Sequence, residues 1–153
     1  MTPKMNRMSL SEFADRINQI MPVMFREFAR RQASELFKGK VTIPQFLILD
    51  SLYRDGESKM SSLAGLMKVS TAAMTGIIER LVRDGYVMRV YDHRDRRIVK
   101  VNITRKGGEL VKKVNEHRRS MVISIFSRIS DADRKDYLRI ISHIKEILTE
   151  GQV

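Results

Sequence analysis

Residues 70–107, STAAMTGIIERLVRDGYVMRVYDHRDRRIVKVNITRKG, constrain the fold of this 153-residue chain more than any other stretch. Their hydrophobic period changes twice. Ala73, Ile77, Ile78 and Leu81 recur at helical spacing, whereas Val99, Val101 and Ile103 alternate with Lys100 and Asn102, the period-2 mark of a half-buried strand. A first strand over 86–91 alternates less cleanly, and the residues from Asp92 to Arg97 join the two. Thr104 then caps a long helix. The result is a helix, a two-stranded hairpin and the start of a second helix. The hairpin tip, Asp92-His93-Arg94-Asp95-Arg96-Arg97, is too polar to bury and too basic for an ordinary turn.

Before this stretch the chain reads as helical. Residues 1–8 form a loose basic arm, and Ser9-x-x-Glu12 is a capping-box pattern. It opens a helix carrying Phe13, Ile17, Ile20, Met24 and Phe28, expected to run to about Phe37 with a bend at Pro22. Thr42-Ile43-Pro44-Gln45 starts another, with Phe46, Leu49 and Leu52, which stops at Asp55-Gly56. A short helix over about 61–67 follows. Lys68-Val69 makes a tight turn, and Ser70 caps the next helix, which ends at Asp84-Gly85. After Thr104, one stripe holds Leu110, Val114, Met121, Ile125 and Ile129. Ser130-Asp131-Ala132-Asp133 breaks and recaps the chain before a last helix with Tyr137, Leu138, Ile141, Ile144 and Leu148.

The long helices at the two ends carry more apolar face than so small a centre can cover. A second copy of the chain is the expected cover, an isologous homodimer; three helices packing only among themselves is the alternative.

Charge narrows the partners. Lys and Arg number 29 against 18 Asp and Glu, a net charge of +11 that favours polyanions without separating DNA, RNA and anionic lipid. From Arg83 to Lys106 there are eight basic and three acidic residues. No cysteine is present, which excludes disulfides, thiol redox sensing and cysteine-bound zinc. The three histidines are scattered, so no metal site is expected. The longest apolar run, 20–25, is far below the roughly 20 residues that span a bilayer, and no signal-peptide pattern is seen. A cytoplasmic location and no membrane partner are the expectations. No P-loop, dinucleotide-binding glycine pattern, nucleophile elbow or H-E-x-x-H occurs, so no catalytic residues are assigned and no enzyme is expected.

The short helix, tight turn and Ser-capped helix fit a helix-turn-helix, whose second helix enters the major groove with its N-terminal residues toward the bases. Those residues are Ser70, Thr71, Met74 and Thr75. Hydroxyls can bond bases or phosphates, and a thioether can touch thymine methyls. The plain alternative makes Ser70 only a cap and Thr71 only an exposed residue. Beside this helix the arginine-rich tip suits a narrow minor groove. Asp92 and Asp95 are poor DNA contacts, and pairing with a neighbouring arginine to shape the tip is their expected role.

The element order, the spacing in IIERLVRDGYVMR, the tip DHRDRR and the following NITRKG resemble the MarR family of winged-helix transcription regulators over about residues 9–149. Asp92-x-Arg94-Asp95-x-Arg97 falls on the family's D-x-R-D-x-R wing pattern, and Ile103-Thr104-x-x-Gly107 on its L-T-x-x-G. The resemblance implies a mainly α fold with a small β-hairpin wing (α+β) and about six helices. It implies a single domain over 1–153, with a winged helix-turn-helix lobe at about 42–106. A helical dimerisation region would take about 9–37 and 108–149. It further implies a homodimer with interlocking end helices on a pseudo-palindromic double-stranded operator. By that resemblance Arg94 would take the minor-groove role, Arg96 and Arg97 would be backbone or second-tier contacts, Arg80 would support at phosphate or wing, and Ser70, Thr71, Met74 and Thr75 would read the major groove. After the threonine corresponding to Thr75 the family often has arginine, where this chain has Gly76. Repression relieved by a small aromatic or anionic effector is also implied; no cofactor is. A winged-helix module acting through protein or RNA contacts, without operator recognition, is the alternative reading.

Overall fold

The computed structural model describes residues 8–33, 41–95 and 97–150. In chain order the elements are α1 (Leu10–Ala33), α2 (Ile43–Asp55), β1 (Ser58–Lys59), α3 (Met60–Met67), α4 (Thr71–Arg83), β2 (Val87–Tyr91), β3 (Val99–Ile103), α5 (Arg105–Phe126) and α6 (Asp131–Thr149). Among the described residues six helices and a small antiparallel sheet make the fold mainly α, as expected. The chain divides into two compact units, Met1–Val111 and Lys112–Val153.

In the first unit the helix starts are built by local capping. Ser9 N–H donates to Glu12 Oε2 at 2.8 Å while Glu12 N–H donates to Ser9 Oγ at 3.2 Å, the reciprocal capping box. α1 runs through Pro22. The sequence expected it to reach about Phe37, and residues 34–40 lie outside the described ones, as does most of the expected basic arm. Thr42 and Gln45 form a second box, at 2.8 and 3.4 Å. It aims α2 so that Ile48, Leu49 and Leu52 are fully buried. Leu63 of α3, Met74, Ile78 and Leu81 of α4, Val101 of β3 and Val111 of α5 complete this core. Each such side chain contributes about 1.5–3 kcal/mol by leaving water. α1 stands apart from that core, with Leu10, Phe13, Ile20 and Phe25 all exposed.

The sheet has the order β1-β3-β2. Two strands were expected, and the described residues hold three. β1 pairs only Ser58 with Val101 and Lys59 with Lys100, too short a strand for a period of two to show in sequence. β2 pairs with β3 in the register Val87↔Ile103 to Tyr91↔Val99, and begins one residue after Tyr86.

Tyr86 has another task. Gly85 (φ 78°) and Tyr86 close α4 in a Schellman turn, with Gly85 N–H donating to Val82 O at 3.0 Å and Tyr86 N–H to Leu81 O at 2.9 Å. The Tyr86 carbonyl then accepts Thr104 N–H at 3.0 Å. Thr104 Oγ1 donates to Gly85 O at 2.7 Å and accepts Gly107 N–H at 3.1 Å, capping α5. A Cβ on Gly107 would stand 2.2 Å from Tyr86 O and 2.7 Å from Ile103 Cγ1, so only glycine lets α5 start there. Lys106 Nζ donates to Asp84 O at 2.6 Å and lies 4.6 Å from the centroid of the Tyr86 ring, tying the start of α5 to the end of α4.

In the second unit Ser130 Oγ accepts Asp133 N–H at 3.1 Å and starts α6. The Arg134 guanidinium donates to Phe126 O at 3.1 Å, at the end of α5 where a cation also suits the helix dipole, and to Ile129 O at 2.5 Å in the turn that follows. The Phe126 and Tyr137 rings pack as a tilted pair, with their planes at 45° and their centroids 5.1 Å apart. α5 ends at Phe126, so Ile129 lies in the turn and not on the α5 stripe where the sequence reading placed it. α6 has no buried residue.

Candidate nucleic-acid interface

α3, its turn and α4 form the helix-turn-helix. α3 closes with Lys68 in the left-handed region (φ 51°), where Lys68 N–H donates to Gly65 O at 3.2 Å and Val69 N–H to Ala64 O at 3.0 Å. Lysine in that conformation costs about 1 kcal/mol, offset by satisfying two helix-terminal carbonyls. Ser70 follows in extended backbone and its Oγ accepts Ala73 N–H at 3.1 Å. The cap uses the oxygen as an acceptor and leaves the hydroxyl proton to donate. α4 has no acidic residue in its first turn, so its dipole and free N–H groups face solvent without an anion, an arrangement that suits phosphate.

Thr71 is exposed. Thr75 is half-buried and its hydroxyl donates to Thr71 O at 2.9 Å, so it can offer lone pairs only. Met74 is a correction. It is 0% exposed, so its thioether cannot meet a thymine methyl. Met74, Ile78 and Leu81 share the inner face at i, i+4 and i+7, while Ala73, which the sequence reading put on the apolar stripe, is exposed. The four apolar or small residues between Thr71 and Ile77 made the face ambiguous by one position. Arg80 lies exposed one turn beyond Gly76.

The tip between β2 and β3 is held by backbone hydrogen bonds to carboxylates. Asp92 Oδ1 accepts Arg94 N–H at 2.9 Å and Asp95 N–H at 3.3 Å, and Asp95 Oδ1 accepts Arg97 N–H at 2.9 Å. Asp92 N–H donates to Ile98 O and Ile98 N–H to Asp95 O, at 3.0 and 2.9 Å. Among the described residues the carboxylates meet these amides and Lys100 in place of the expected arginine, Lys100 Nζ lying 3.1 Å from Asp92 Oδ2 and 2.9 Å from Glu57 Oε1. The Arg94 amide, then the Lys100 ammonium, hold the Asp92 carboxyl down at about 2. Lys100 is raised by its bonds to Glu57 and Asp92. Arg94 and Arg97 are exposed, and among the described residues neither guanidinium is paired with a carboxylate. Arg96 lies outside the described residues. Arg89 of β2 reaches Glu79 of α4 at 3.8 Å, joining the strand to the helix. Glu57 and Lys100 escaped the sequence reading because they meet across 43 residues; nothing local marks the pair.

Among the described residues no helix is long and apolar enough to cross a membrane.

Residues 41–99 match the MarR family. YpoP of Bacillus subtilis strain 168, an uncharacterized HTH-type transcriptional regulator, is 24% identical over 115 residues, 75% of this chain and 82% of that one. MdtR of the same organism, an HTH-type transcriptional repressor, is 23% identical over 82% of this chain and 81% of its own. FabT of Streptococcus pneumoniae, solved in complex with DNA, superposes with a TM-score of 0.79, covering 91% of this chain and 99% of its own. At 20% identity that likeness speaks for the fold.

Proposed function

We propose that the chain, whose residues 41–99 match the MarR family, is a transcriptional regulator of that family that binds double-stranded DNA as a homodimer. The observation that carries this reading is the pairing, in one unit, of an acid-free, exposed α4 N-terminus with an arginine tip whose backbone is pinned by carboxylates. The pinning carboxylates spend their charge on amides and Lys100, which leaves Arg94 and Arg97 to an outside anion. Ser70, Thr71 and Thr75 supply hydroxyls at the major groove; Arg94 enters the minor groove, with Arg97, Arg96 and Arg80 at the backbone. FabT, which has this fold, was solved with DNA.

The dimer is supported by apolar side chains that their own unit leaves uncovered. In α1, Phe13, Ile17, Ile20 and Met24 are exposed, and in α6 Leu138, Ile141, Ile144 and Leu148 are. A twofold partner buries both sets. Repression, as in MdtR, with relief by a small aromatic or anionic effector, completes the proposal. Such relief requires the effector to bind the DNA-free shape more tightly than the DNA-bound one.

Genomic footprinting with the purified protein tests it. The expected result is protection of pseudo-palindromes whose half-sites lie about one helical turn, roughly 34–36 Å, apart. Protection independent of sequence, or preference for RNA, would instead favour a module that does not recognise an operator.

A further inference from the structure

Gly76 sits in the middle of α4, and nothing in the folded chain requires a glycine there. Its φ is not positive, and a Cβ built on it meets no atom of the described residues within 4 Å. Gly107 and Gly85 differ, the first excluded from bearing a side chain by Tyr86 O and the second by its φ of 78°. In a helix interior glycine gives up more backbone entropy than alanine and weakens the helix. At Gly76 this weakening is not compensated by packing, capping or a turn.

Its position on the helix points outward. Met74, Ile78 and Leu81 are buried, and at about 100° per residue Gly76 falls across the axis from them. One turn earlier Ala72 is exposed, and one turn later so is Arg80. At Gly76 itself the outer surface of α4 is therefore half-buried backbone with no side chain, bordered by the Ala72 methyl on the N-terminal side and by the exposed Glu79 and Arg80 on the C-terminal side. In the major groove the thymine C5-methyl is the apolar group that such a surface can meet, since every other exposed edge asks for a hydrogen bond.

We infer that Gly76 is a specificity-determining residue, at which the operator's thymine methyl packs directly on the α4 backbone. The inference rests on the DNA-binding reading above. It assigns one base pair per half-site to T·A without any side chain reading it.

The experiment compares wild type with Gly76→Ala on the footprinted operator, and on the same duplex with single thymines replaced by uracil. Gly76→Ala raises Tm by about 2–4 °C, because the new methyl meets nothing and improves the helix. It weakens operator binding at least about 10-fold while leaving binding to an unrelated duplex unchanged. In wild type, one uracil per half-site weakens binding about 5-fold or more, and that position loses its effect in the variant. Operator affinity in Gly76→Ala equal to or tighter than wild type overturns the inference while leaving the regulator reading intact. So does a wild type indifferent to every uracil. A wild type with no preferred duplex removes both. If Gly76→Ala lowers Tm, the glycine is structural and the inference falls.

Discussion

The ammonium of Lys100 lies 3.1 Å from Asp92 Oδ2, and Asp92 in turn holds the amides of Arg94 and Asp95 on its other oxygen. A lysine on β3 thus fixes the carboxylate that shapes the tip, and through Glu57 at 2.9 Å it ties that tip to the segment leading into β1 and α3. The backbone at Arg94 is held in place by this chain of contacts.

The pair sets a pH window. The folded carboxyl of Asp92 is lowered to about 2, against roughly 3.9 in an unfolded chain. Its contribution to stability is therefore present above the unfolded value and lost as pH falls through about 2. Carboxyl-detected NMR should give Asp92 a midpoint near 2. Lys100→Met should raise that midpoint, though not fully, because the amide donors remain. A wild-type midpoint near the ordinary aspartate value contradicts the arrangement. Lys100 itself is raised, so its share is present below its unfolded value and lost only in strong alkali.

Met74 and Thr71 separate stability from recognition. Met74→Ala empties a fully buried site and should cost about 2–5 kcal/mol in urea denaturation, with operator preference among base-pair variants unchanged. Thr71→Ala, at an exposed helix position, should leave stability within about 0.5 kcal/mol and shift that preference. The reverse assignment of effects would put Met74 back at the interface.

Gly107→Ala should destabilise the protein by about 1–3 kcal/mol, the usual result of forcing a methylene into a filled space. The new Cβ cannot share the 2.2 Å to Tyr86 O, and α5 must lift off the end of α4 to admit it. An unchanged denaturation midpoint contradicts that close approach.

Much of this was legible because the signals are local. Ser9, Thr42, Ser70 and Ser130 cap helices with partners three residues away, and the Asp55-Gly56 and Asp84-Gly85 stops are equally short in range. The strand β3 declares itself by alternation. What could not be read depends on distance or on a single register step. β1 has only Ser58 and Lys59 and exists because β3 offers an edge. The choice of Ala73 over Met74 for the inner face of α4 was a one-residue rotation that only tertiary packing decides. At the tip, aspartates between arginines invite an ion-pair reading, yet backbone amides two and three residues on are closer in the folded turn. Lys100 was one basic residue among eight until its partners were placed.

Self-association is tested by concentration. If the exposed faces of α1 and α6 meet a twofold partner, Tm should rise with protein concentration, and sedimentation at micromolar concentration should show a dimer. Leu138→Asp, at a residue 65% exposed in the single chain, should abolish the concentration dependence. A folded monomer for wild type, with Tm independent of concentration, contradicts the dimer.

The most direct test of the whole account is the operator affinity of Arg94→Ala beside wild type, measured by competition against a scrambled duplex over a salt series. The wing reading predicts a loss of about 1–3 kcal/mol in specific binding. Wild-type affinity should itself fall on the order of 10³-fold between about 50 and about 200 mM salt if about six phosphates are met. An Arg94→Ala protein that binds the operator as tightly as wild type would remove the arginine tip from recognition and contradict the account.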